Sequence, residues 1–166
     1  MYNYGVLTQQ ELKDIAFYGD LKKRLEAIKY LTDEDILKQI ALYNSSVEIC
    51  CEAVKKIDSQ ESLRHIVLYD KHLQVRCEAV KKLESKEILR HIALASYDAD
   101  VSLEVMKKLD DQETLNHVAI YNPNCVVRRE AVKRLVDQEI LRDISLNDPN
   151  ANVRREANIR LSKLQS

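Results

Sequence analysis

Three histidines stand in one register: His65, His91 and His117 lie 26 residues apart, preceded by Arg64, Arg90 and Asn116. Imidazoles at a fixed step could build a metal site or a row of groups titrating near neutral pH. Tyr43, Tyr69 and Tyr121 form a second row, with Ala95 in the missing place and Tyr18 at the corresponding position near the N-terminus. Tyrosine joins a flat apolar body to a polar tip, which suits recognition of a partner. The favoured reading, however, is that each ring plugs the gap beside a helix–helix turn.

Basic side chains form a third pattern. Lys55-Lys56, Lys81-Lys82, Lys107-Lys108 and Lys133-Arg134 recur at the same step, and Arg128, Arg129, Arg154 and Arg155 cluster toward the C-terminus. Unpaired, such groups would contact phosphates or acidic partners. Each lysine pair follows a glutamate by three and four residues, as Glu78 precedes Lys81 and Lys82, a spacing that supports a solvated helix through local ion pairs. For the arginine cluster the expected arrangement is mutual neutralisation with Glu130 and Glu156, and contact with nucleic acid or an acidic partner is the alternative.

The chain lacks the G-x-S-x-G, P-loop, Rossmann glycine and H-E-x-x-H signatures of common catalytic and cofactor sites. No catalytic residue, cofactor or metal is therefore assigned. Cys50, Cys51, Cys77 and Cys125 contain no C-x-x-C and read as reduced thiols of a cytoplasmic protein. Lysine and arginine number 26 against 27 aspartates and glutamates, so no net field favours nucleic acid or an anionic membrane. The N-terminus does not read as a signal peptide, and no apolar run is long enough to span a bilayer.

What must position these side chains is a repeat. Glu26, Glu52, Glu78, Glu104, Glu130 and Glu156 are spaced by 26 residues. The same step joins Leu31, Ile57, Leu83, Leu109, Leu135 and Leu161, and also Leu37, Leu63, Leu89, Leu115 and Leu141. Each repeat holds two short amphipathic helices. The A-type is best seen from Val127 to Leu135, with apolar residues at i, i+4, i+5 and i+8, and the B-type from Gln138 to Leu146. Helices this short are marginal alone in water, so burial against neighbours must hold them.

Junction residues agree with this division. Asp33, Ser59, Ser85, Asp111 and Asp137 precede the B-type helices as N-caps, and Ser46, His72, Asp98, Asn124 and Asn150 stand at the start of the A-type helices. Asn122-Pro123 and Asp148-Pro149 close B-type helices. The expected fold is an all-α solenoid of about twelve helices forming one repeat domain over residues 1–166. A half-repeat occupies about 9–18, full repeats run from about 21, and a capping helix spans about 151–164. Asn158 replaces Val54, Val80 and Val132 of other repeats, as suits an uncovered surface, and on this ground the array reads as complete.

The unit written Val-Arg-Arg-Glu-Ala-Val-Lys-Arg-Leu at 127–135 and Asn-Val-Arg-Arg-Glu-Ala at 152–157 resembles the HEAT-repeat superfamily. At 26 residues the repeat is shorter than that family's usual length of about 40, and it also looks like compact HEAT-like and leucine-rich-variant repeats. The resemblance covers nearly the whole chain. It implies a curved right-handed superhelix with B-type helices on an inner surface, and a scaffold or adaptor role. HEAT-like hydroxylases bind metal through His-Glu dipeptides and HEAT-like glycosylases use tryptophan; this sequence has neither. Packed helices also lie roughly 8–10 Å apart, too far for parallel histidines to converge on one ion. The expected function is non-catalytic binding of a protein partner by a monomer through Tyr43, Tyr69, Tyr121, Arg64, His65, Arg90, His91 and His117. A HEAT-like lyase or modifying subunit acting on a bound protein is one alternative, and weak nucleic-acid binding through the arginine cluster is another.

Overall fold

A computed structural model describes residues 3–96 and 98–165, which form twelve α-helices and one 3-10 turn and contain no strand. Every helix is bounded by a local stop. Asp33, Ser59, Ser85, Asp111 and Asp137 each accept hydrogen bonds from backbone amides of the first turn, as their position predicts. Ser46, Asp98, Asn124 and Asn150 do the same for A-type helices. His72 does not, since its side chain makes no capping bond. Thr8 forms a capping box with Glu11 that the spacing argument above does not identify.

The chain divides into two compact units, Met1–Glu84 and Ser85–Ser166. The first holds the 3-10 turn Tyr4–Val6 and helices α1 (Gln9–Tyr18), α2 (Leu21–Tyr30), α3 (Glu34–Tyr43), α4 (Val47–Lys55), α5 (Gln60–Tyr69) and α6 (Leu73–Lys82). The second holds α7 (Lys86–Ala95), α8 (Ala99–Lys108), α9 (Gln112–Tyr121), α10 (Cys125–Val132), α11 (Gln138–Asn147) and α12 (Ala151–Gln165). Odd-numbered helices are B-type and even-numbered ones A-type.

Within the first unit, hairpins α1/α2, α3/α4 and α5/α6 stack so that α1 meets α3 and α3 meets α5, while α2 meets α4 and α4 meets α6. Within the second, α7/α8, α9/α10 and α11/α12 form hairpins, α7 meets α9, and α8, α10 and α12 follow one another. Packing of each hairpin against the next, in two layers, is the pattern of an α-solenoid. The core of each unit is aliphatic and lies between its layers. Leu31, Ile57 and Leu83 are buried in one, Leu109 and Leu135 in the other, and the B-type leucines Leu37, Leu63, Leu89, Leu115 and Leu141 face them. Among the described residues no helix is long and apolar enough to cross a membrane.

Candidate recognition surface

Three sets of polar contacts bind repeat to repeat, and they decide which charged side chains are available for anything else. The first lies at the turn from B-type to A-type helix. Asn44, Asp70, Ser96, Asn122 and Asp148 share one repeat position, and each side chain accepts a hydrogen bond from the amide two residues on. Arg24 donates to Asn44 Oδ1, and also to Ala16 O at 3.0 Å. Arg128 grips Asp148 with two parallel bonds, Nε to Oδ2 at 2.8 Å and Nη2 to Oδ1 at 3.0 Å, and its Nη1 donates to Asn122 O at 3.0 Å. Arg154 donates to Asp148 O at 2.7 Å.

At Arg128 these bonds replace the expected neutralisation by Glu130. Arg128 is buried and belongs to Asp148, not to Glu130, whose carboxylate instead takes Lys133. With Arg128 and Arg154 committed to the fold, the cluster offers a nucleic acid much less than its sequence suggests. Burial pushes the Asp148 carboxyl up, but hydrogen bonds from Arg128 and the Asn150 amide, with the charges of Arg128 and Arg154, carry it below the ordinary aspartate range.

The repeat position of Arg24 and Arg128 is occupied by Cys50 in the second A-type helix and by Ser102 in the fourth. Cys50 lies fully buried, with its Sγ directed at Ile40 O and Asn44 O. Asp70 therefore lacks the arginine that Asp148 has, and its Oδ2 is buried without a hydrogen-bond partner. Burial first, then the Asp70 charge, pushes the Cys50 thiol up to about 11.

The second set separates the two members of each basic pair. The first member behaves as its spacing predicts: Lys55, Lys81, Lys107 and Lys133 pair with the glutamates three residues before them. At Lys56, Lys82 and Arg134 the second member turns to the preceding repeat and not to the glutamate. Lys56 Nζ donates to Ile28 O, Lys29 O and Leu31 O at 3.0, 2.6 and 2.6 Å, and Lys82 Nζ to Lys55 O at 2.7 Å. Arg134 donates to Met106 O and Leu109 O, and Arg160 to Leu135 O. Each cation thus closes the C-terminal carbonyls of the preceding A-type helix, where the free acceptors and the negative end of the dipole coincide.

In the third set, the first residue of a B-type helix reaches forward to the next A–B turn. Gln9 accepts from Thr32 N and Asp33 N, Glu34 from Asp58 N and Ser59 N, Gln60 from Glu84 N, and Gln112 from Val136 N.

What remains outside these contacts is the exposed flank of the B-type helices. Tyr18, Tyr43 and Tyr69 in the first unit are 86, 72 and 68% exposed, and Tyr121 in the second is 68% exposed. None plugs a gap beside a turn; the favoured packing role is corrected to a surface position. Tyr43, Tyr69 and Tyr121 follow the buried pairs Ile40-Ala41, Ile66-Val67 and Val118-Ala119 by two residues, and Tyr18 follows buried Ala16, so each sits where the helix has rotated back toward solvent.

The histidine row divides by environment. His65 is half-buried, with its ring 4.6 Å from that of Tyr69, while His91 and His117 are exposed and His117 lies 4.7 Å from Tyr121. Burial, then the charges of Lys38 and Arg64, lower the His65 pKa. Arg64 is held by Glu61 at 3.2 Å, and Arg90 by Asp111 at 3.1 Å. Arg90, Leu94, Glu113, Thr114 and His117 line a shallow depression of about 50 Å³ in the second unit. Among the described residues no group of three or more His, Cys, Asp or Glu side chains could hold a metal ion. Cys51 is buried and Cys77 half-buried, and neither forms a disulfide.

No protein-family model matches the chain, and no curated protein matches its sequence.

Proposed function

We propose that the chain is a non-catalytic interaction module of HEAT-like kind that binds a protein partner through the exposed flank of its B-type helices. One observation carries this reading. Tyr18, Tyr43 and Tyr69 repeat at the same place on three successive B-type helices of one unit, each more than two-thirds exposed. Rings left in water keep an unrealised hydrophobic gain, and tyrosine is enriched among the residues that dominate binding energies. Repeat stacking accounts for the buried registers, the arginine clamps and the lysine caps, but not for this row. Four cysteines outside any disulfide, two of them buried and two half-buried, suit a reducing compartment such as the cytoplasm.

The test compares the intact protein with the variant Tyr18→Ser/Tyr43→Ser/Tyr69→Ser as baits in extracts of the native cell, after matching their melting temperatures. A partner held by the first and lost from the second is expected. Recovery of nothing specific by the unaltered protein, or of the same partner by both baits, would refute the reading.

A further inference from the structure

We infer that the face built by α1, α3 and α5 binds an extended protein segment carrying an acidic side chain at about every third position, with apolar side chains between. The inference rests on the interaction-module reading and adds the chemistry of the partner. The three helices are neighbours in one layer and repeat one pattern. Lys13, Lys38 and Arg64 occupy equivalent positions. Four residues on, and so on the same side of each helix, come the half-buried Phe17, Leu42 and Leu68. The exposed tyrosines follow directly.

Charge decides the sign of the occupant. Among the described residues neither Lys13 nor Lys38 stands in an ion pair, in contrast to the first lysine of every A-type pair. Two carboxylates of the same helices are engaged elsewhere, Glu11 by Thr8 and Glu34 by two turn amides, while Glu61 already pairs with Arg64. His65 on α5 has its pKa lowered by burial first and then by the charges of Lys38 and Arg64, so it feels both cations. Carboxylates presented one at a time would complete Lys13 and Lys38, and at Arg64 would compete with Glu61 for an exposed pair.

Spacing decides the form of the occupant. Packed helices lie about 8–10 Å apart, and three residues of a polyproline-II segment rise about 9 Å. Every third side chain of such a segment meets the next helix in the same way, and the residues between meet Leu42, Leu68 and the tyrosine rings. A nucleic acid fits less well. Its phosphates form a continuous polyanion, whereas Asp14, Asp35 and Glu61 stand on the same helices and the whole chain carries a net charge of −1.

The probe is a fluorescein-labelled peptide of four Glu-Pro-Leu repeats, titrated by anisotropy with the full chain at low salt. Its comparators are four repeats of Gln-Pro-Leu, four of Lys-Pro-Leu, and oligo-dT. Saturable binding of the acidic peptide alone is expected. Lys38→Glu should weaken it by about tenfold or more, while Lys29→Glu on α2 should leave it unchanged at equal melting temperature. Absence of saturable binding, equal binding of the neutral or basic peptide, preference for oligo-dT, or indifference to Lys38→Glu would each overturn the proposal. If the acidic peptide fails while the tyrosine variant still loses its cellular partner, the acidic chemistry is wrong and the module reading stands. If both fail, both fall.

Discussion

Replacing Arg128 by alanine should destabilise the second unit by about 3–5 kcal/mol at neutral pH, the usual cost of stranding one partner of a buried ion pair. The side chains of Arg128 and Asp148 are 8% and 4% exposed, so water cannot replace the lost guanidinium without opening the turn. Truncation also leaves Asn122 O and Pro123 O without the donor they share. Asp148→Asn should cost much less, about 1 kcal/mol. The first unit contains that arrangement already: Asn44 Oδ1 accepts from both Arg24 and the Ser46 amide. Because the folded Asp148 carboxyl titrates below its unfolded value, the stabilisation is complete above about pH 4, the unfolded value, and is lost as pH falls through the folded one. The gap between wild type and Arg128→Ala should therefore be widest at neutral pH and close in acid. Urea titrations followed by far-ultraviolet circular dichroism at neutral and acid pH measure both effects. An Arg128→Ala midpoint within error of wild type at neutral pH, or Asp148→Asn as costly as Arg128→Ala, would show that the clamp does not hold this turn.

Lys56→Ala should cost about 1–2 kcal/mol by uncovering three carbonyls at a helix end, while Lys55→Ala should stay within about 0.5 kcal/mol, as denaturation midpoints will show. Leu83→Ala should cost about 2–5 kcal/mol and Tyr43→Ser almost nothing, since the first side chain is fully buried and the second 72% exposed; equal shifts in melting temperature would contradict the assigned core. Cys50, buried and with its thiol pushed up to about 11, should resist alkylation in the native protein at pH 8 while the half-buried Cys125 reacts, as peptide mass mapping will resolve. Modification of Cys50 at the rate of Cys125 would refute its placement.

The helices, their caps and the buried registers follow from a 26-residue step because each depends on near neighbours in the chain. Asp33 or Ser85 needs only the amides of the next turn, and Leu37 or Leu63 needs only the period of its own helix. The contacts between repeats were harder to read because their partners lie 20–28 residues away and are often backbone atoms. A glutamate four residues before Lys56 is an evident partner; three carbonyls in the preceding repeat are not. The signal nevertheless existed. The second basic position keeps a cation at Lys56, Lys82, Lys108, Arg134 and Arg160, and the turn position keeps Asn, Asp or Ser throughout, more regularity than solvated residues need. The tyrosines mislead for the opposite reason. Their regularity resembles that of packing residues, and only the phase of the finished helix shows that they point outward.

The clamps and closures have a direction. Within either unit, a glutamine or glutamate at the start of a B-type helix reaches ahead to the following turn, while a lysine or arginine at the end of an A-type helix reaches back. The seams held by Gln9 and Lys56, by Glu34 and Lys82, and by Gln112 and Arg160 are therefore sewn from both sides with the same few stitches. Adding or removing one whole repeat inside a unit leaves no stitch of a new kind to be invented, so such an array can change its reach through number alone.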